Sequence, residues 1–169
     1  MTDDHITLEA KIARIQLQEE RLVFTRFSHA DAWALGNVLV KLATERNLSL
    51  TVDITRGQQQ VFHAALAGTS ADNDEWIARK VRVVKRFGSS SFLVGQRALA
   101  KGAPFDSKPY NEPTIYAAHG GSFPITIADS GPIGTVTVSG LPQEDDHELV
   151  VEAIELFLAG TGSGAGTSA

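Results

Sequence analysis

Cysteine is absent from these 169 residues, which removes disulfides, thiolate nucleophiles, Fe–S clusters and Cys-ligated zinc. Basic charge is also short: 15 Lys and Arg stand against 20 Asp and Glu, for a formal net charge of −5. Proteins that hold nucleic acid by neutralising phosphates show the opposite balance, so no nucleic-acid partner is expected. No apolar run approaches the roughly 18–20 residues that cross a bilayer, so no membrane partner is expected either. Met1–Glu9 is polar and acidic, without the basic and apolar regions of a signal peptide. These features predict a soluble, cytoplasmic protein.

What is present is enough for one core. Hydrophobic residues make up 43% of the chain, and a domain of this length buries roughly 70% of its unfolded surface. Residues 1–159 are expected to form a single domain. The end of the chain, residues 160–169, is rich in Gly, Ser and Thr and is expected to be a disordered tail.

Periodicity supplies the elements. Leu8, Ile12 and Ile15 recur at helical spacing over Leu8–Glu20, and Leu22–Phe24 reads as a short strand. Ser28, with Asp31 three residues on, has the pattern of a capping box opening a helix that continues almost to Asn47. Leu48–Ile54 alternates strictly, which predicts a half-buried strand, and Gln60–Leu66 returns as its hairpin partner. Helices are expected over Asp74–Phe87, stopped by Gly88, and from Ser89 to about Lys101. Residues 102–121 read as a long surface loop, followed by a second hairpin, Phe123–Ala128 and Ile133–Ser139, and a last helix over Glu144–Ala159. Hairpins mixed with helices favour an α+β fold with an antiparallel sheet.

Few constellations carry chemistry. His5, His29, His63, His119 and His147 show no paired spacing of a metal site, so none is assigned to metal. His147, in the acidic first turn of the last helix, is expected to pair with Asp146 or Glu144. Arg79-Lys80-Val81-Arg82-Val83-Val84-Lys85-Arg86 holds five basic residues in eight. On a helix, Arg79, Arg82 and Arg86 share a stripe, either an ordinary solvated face or a site for an anion. In Ala118-His119-Gly120-Gly121-Ser122-Phe123, two glycines let the backbone approach another group or take positive φ. The histidine beside them serves either a tight turn or a cavity, as donor, base or axial ligand.

Leu50–Gly57 with its returning strand, Asn73–Lys80 running on to Phe87-Gly88-Ser89-Ser90, His119–Ile125, Ile133–Gly140 and Leu141–His147 together resemble the HbpS/GlcG-like proteins, often labelled haem-degrading domains. The resemblance covers about residues 8–158 and is nearest to a UPF-type branch of bacterial and fungal proteins. It implies a profilin-like or PAS-like antiparallel sheet with helices on its faces, and assembly into homo-oligomers. Some relatives bind haem or act as extracellular redox-sensing accessories. No export signal like that of the secreted members is expected in this chain.

The resulting expectation is an oligomeric binding module for a small anionic ligand, haem among the candidates. Its site is placed at Arg79, Lys80, His119, Gly120, Gly121 and Ser122. The alternatives are a haem-degrading or other small-molecule enzyme using His119, and a protein-interaction scaffold. The last helix, with Leu149, Val150, Ile154, Leu156, Phe157 and Leu158, is apolar over more than one face and is expected to supply the association surface.

Overall fold

The computed structural model describes residues 2–162. Its elements run α1 (Thr2–Arg21), α2 (His29–Glu45), β1 (Thr51–Arg56), β2 (Gln59–Ala65), α3 (Ala71–Phe87), α4 (Ser91–Ala100), a 3-10 turn Phe105–Ser107, β3 (Ser122–Ile127), β4 (Gly131–Ser139) and α5 (Gln143–Gly162). The four strands form one antiparallel sheet in the order β2-β1-β4-β3. The α+β architecture with helices on both sheet faces is the one the sequence predicts.

Local chemistry sets the helix ends. Ser28 and Asp31 form the expected capping box at α2. At α3 the equivalent box is Ser70 with Asn73, so this helix starts three residues before its apolar pattern does. The capped turn is polar and leaves no periodic signal. Gly88, in the left-handed region, stops α3, and the Ser90 side chain accepts the Leu93 N–H to open α4.

One sheet face is apolar. Leu50, Val52, Ile54, Phe123, Ile125, Val136 and Val138 form a single core with Leu35, Leu39 and Leu42 of α2 and Val150, Ile154 and Phe157 of α5. Each fully buried side chain of this size contributes roughly 1.5–3 kcal/mol. The opposite face carries Thr51, Asp53, Thr135, Thr137, Ser139 and Ser122, all buried as well, and α3 lies against it. β1 is therefore a central strand covered on both sides, not the half-buried strand its alternation predicts.

Three further expectations are corrected. Leu22–Phe24 makes only an isolated parallel bridge, Phe24 to Ile127. With so few residues it shields the outer edge of β3 instead of extending the sheet. The apolar faces of α5 are taken up inside the subunit by α2 and the sheet, leaving Leu156 as its large exposed hydrophobic, at 49%. α5 therefore does not offer the broad association strip expected of it. Finally, α5 extends to Gly162, past the predicted end at Ala159; the rest of the expected tail, 163–169, lies outside the described residues. No helix among the described residues is long and apolar enough to cross a membrane.

Candidate functional site

The His119-Gly120-Gly121 turn enters β3 where α3 and the start of α5 converge. Gly121 has φ +129°, and a β-carbon there would stand 2.6 Å from both Lys80 Nζ and the Val138 carbonyl oxygen. A β-carbon at Gly120 would strike the Gln143 carbonyl oxygen at 1.8 Å. The two glycines are required because the turn passes between a lysine head and the α5 backbone.

Lys80 is 3% exposed and Asp146 2%. Lys80 Nζ donates to Asp146 Oδ2 at 2.9 Å and to the Val138 carbonyl at 3.1 Å. The second Asp146 oxygen accepts the Leu141 N–H at 3.0 Å. Burial pushes the lysine down and the aspartate up, and each opposes the other's shift by attraction and hydrogen bonding. Lys80 thus has its counter-charge inside the protein. It lines the floor of a cleft of about 260 Å³, with Asn73, Trp76, His119, Gln143 and Asp146 among the other walls.

A second cleft, of about 310 Å³, lies on the other side of His119 and shares Trp76, His119 and Gln143 with the first. Arg79, Phe105, Asp106 and Tyr116 also line it. The Arg79 guanidinium stacks 4.2 Å from the Trp76 ring centroid and donates to the Pro113 carbonyl at 3.2 Å. His119 meets Trp76 edge-on at 5.3 Å, and no hydrogen bond occupies its ring nitrogens among the described residues. Partial enclosure, then the charge of Lys80 and to a smaller degree Arg79, hold its pKa below the ordinary imidazole value, with Asp106 opposing. At pH 7 His119 is a neutral imidazole with a free lone pair.

The structure brings Arg79, Lys80 and His119 together around this double cleft. Gly120 and Gly121 shape the turn behind it. Ser122 does not reach it: it is 0% exposed, its hydroxyl bonded to that of Thr137 at 2.8 Å and its N–H given to Ser91 Oγ at 3.1 Å.

The rest of the basic run, Arg82, Lys85 and Arg86, is exposed, but its arginines are engaged. Arg79, Arg82 and Arg86 donate to the carbonyls of Pro113, Ile115 and Tyr110, so the stripe fastens the loop that walls the cleft. His147 points away from the acidic turn expected to hold it. It is 1% exposed, Nε2 lies 2.7 Å from Gln18 Oε1, and Nδ1 has no partner among the described residues. Sequence reasoning also missed Trp76, Asp106, Tyr116 and Gln143. The aromatics carried no spacing signal, and Gln143 is placed only by the α5 start. No group of three or more His, Asp or Glu among the described residues is arranged to hold a metal ion.

Comparison with known proteins adds independent information. Residues 27–155 match the family described as haem degrading protein HbpS-like. A UPF0303 protein of Streptomyces coelicolor is 58% identical over 147 residues, covering 87% of this chain and 93% of its own length. The crystal structure of the Ybr137w protein superposes with TM-score 0.80 at 29% identity, covering 89% of this chain and 88% of that one. A structure titled as a PduOC:heme complex gives TM-score 0.64 at 16% identity over 76% of this chain and 93% of its own, a likeness of fold alone.

Proposed function

This chain belongs to the haem degrading protein HbpS-like family, and from that premise we propose that it is a single-domain binding module for a small anionic ligand, with haem as the ligand to test first. The observation that carries this reading is His119: exposed, neutral, free at both nitrogens, and sharing a cleft with Arg79 and the rings of Trp76, Phe105 and Tyr116. A neutral imidazole is a usual axial donor to haem iron. A guanidinium pairs with a carboxylate such as a propionate. The donor set fits haem, which when bound would supply iron-centred ligand and redox chemistry at His119. At about 310 Å³, the cleft sits at the small end of the roughly 300–1,000 Å³ typical of ligand pockets, so part of a macrocycle would project from this chain. That projection is our reason to retain a homo-oligomer in the reading.

Binding is preferred to catalysis because, among the described residues, His119 and Asp106 are the only imidazole and carboxylate lining this cleft, and no hydrogen bond joins them. The test is a hemin titration. A shifted Soret band is expected, abolished by His119→Ala and weakened about tenfold or more by Arg79→Ala, as loss of one charge-assisted bond predicts. With reductant and oxygen the band should persist; its stoichiometric loss would establish the enzyme instead. No shift at all dismisses haem. Light scattering tests the assembly, and a mass near 18.1 kDa would refute it.

A further inference from the structure

Beyond the His119 cleft lies another, of about 500 Å³, between the end of α3, the outer half of α4 and residues 103–111. Arg86, Arg97, Lys101 and Lys108 line it together with Phe87 and Phe105, and among the described residues no carboxylate does. Four cations converge here in a chain whose net charge is −5.

Helix ends account for part of this. Arg86 and Arg97 occupy the last turns of α3 and α4, where cations meet the negative end of the dipole. Arg86 is also committed to the Tyr110 carbonyl and Asn111 Oδ1. Lys108 belongs to no helix, and Arg97, Lys101 and Lys108 form no ion pair among the described residues. Glu19 feels the charge of Arg97, but its carboxylate is held by the Ser90 N–H at 2.6 Å. The apolar part of the wall combines Val94, Ala98, Ala103 and Pro104 with two aromatic rings: Phe87, 44% exposed, meets Phe105 edge-on at 5.7 Å.

We propose that this cleft binds a nucleoside polyphosphate, with Arg97, Lys101 and Lys108 taking the phosphates and Phe87 and Phe105 the base. A nucleoside di- or triphosphate carries about three to four negative charges near neutral pH, given a terminal phosphate pKa of about 6. That matches the unneutralised cations better than the two carboxylates of a porphyrin do. Arg86 lies over one face of Phe87 at 5.0 Å, and an exposed aromatic ring with a face to stack on, beside basic side chains, is also the pairing that holds a base and its phosphates. The site is independent of the His119 reading, although Pro104 and Phe105 line both clefts.

Calorimetric titration of the full chain with ATP, inorganic tripolyphosphate, adenosine and metal-free protoporphyrin IX tests it. ATP should bind at least about tenfold tighter than either tripolyphosphate or adenosine, since each lacks one half of the recognition. The double variant Lys101→Ala/Lys108→Ala, both positions exposed, should weaken ATP about tenfold or more while keeping the wild-type melting temperature. Phe87→Ala should weaken ATP but leave tripolyphosphate unchanged. His119→Ala should leave ATP binding intact, which separates this site from the other. Absence of ATP binding at millimolar concentration overturns the proposal, as do equal affinities for ATP and tripolyphosphate, or porphyrin binding that the lysine variant removes while ATP does not bind.

Discussion

The two faces of the sheet are equally dry and are built on opposite chemistry. Beneath α2 and α5 the strands present Leu, Ile, Val and Phe, and the residues there make one hydrophobic core. Beneath α3 they present Thr51, Asp53, Thr135, Thr137, Ser139 and Ser122, and two hydroxyl pairs cross the strands, Thr55 with Thr135 at 2.7 Å and Ser122 with Thr137 at 2.8 Å, while the Thr51 hydroxyl has no partner among the described residues. The apolar face tolerates imperfect geometry because hydrophobic burial is non-directional. The polar face does not, since each unsatisfied group costs its desolvation. The candidate site adjoins the polar face, where one helix covers hydrogen-bonded side chains and the Lys80–Asp146 pair anchors α5 to β4 through the Val138 carbonyl.

The largest expected effect comes from breaking that pair. Lys80→Met leaves Asp146 buried without its counter-charge and should destabilise the protein by about 3–5 kcal/mol in urea unfolding, whereas Lys80→Met with Asp146→Leu should recover most of the loss. A double variant no more stable than the single one would show that the pair serves packing and not charge compensation. On the apolar face, Ile54→Ala should cost about 2–5 kcal/mol by the same measurement, from lost transfer energy plus the cavity. No second substitution should rescue it as a partner deletion rescues Lys80→Met.

These faces also differ in how far the sequence exposes them. The alternation of Leu48, Leu50, Val52 and Ile54 located β1 and its apolar side. The same alternation assigned Thr51 and Asp53 to a wet side, because polarity in a sequence does not distinguish water from a buried partner. The convergence of Arg79 with His119 was legible as a basic run and a Gly-Gly turn, since both are local patterns. The partners of Lys80 and His147 were not legible. Asp146 lies 66 residues from Lys80 and Gln18 lies 129 from His147, and only the assembled fold sets such distances.

His147 separates the two chemistries by pH. It stands against Phe92 and Phe123, ring centroids 4.9 and 5.9 Å away, and burial, reinforced by the charge of Arg14, lowers its pKa to about 4, with Glu144 opposing. In the unfolded chain it titrates near the ordinary 6.5, so below that value the unfolded state binds the extra proton. Stability from this group is fully present above about 6.5 and is lost as pH falls toward 4. Between about pH 7 and pH 5 the loss should be about 2 kcal/mol. Over the lower part of that range the buried carboxyls of Asp53, Glu19 and Asp146, whose pKa values burial raises, act in the opposite direction, while His119, whose pKa is lowered, adds to the loss. Urea midpoints across this range should therefore fall with acidity in the wild type and less steeply in His147→Gln. Parallel profiles would place the acid sensitivity elsewhere.

The smallest effect gives the sharpest test of how the polar face is held. Thr135 is 1% exposed, and its hydroxyl has that of Thr55 as partner across β1 and β4. Thr135→Val keeps the shape and removes one hydroxyl, leaving the Thr55 hydroxyl unpaired under α3, and should cost about 1–3 kcal/mol. Thr55→Val should lie higher in that range, because it leaves the buried Thr135 hydroxyl unpaired, whereas the Thr55 hydroxyl that Thr135→Val leaves behind is half-buried and within reach of water. If pairing is what the face requires, the double variant should be nearly neutral, since no donor or acceptor then remains unsatisfied. The coupling from the double-mutant cycle should then lie within about 0.5–3 kcal/mol, the range of residues in contact. Additive losses would mean that each hydroxyl acts through its own surroundings, and the contrast between a non-directional face and a matched one would no longer hold at this pair.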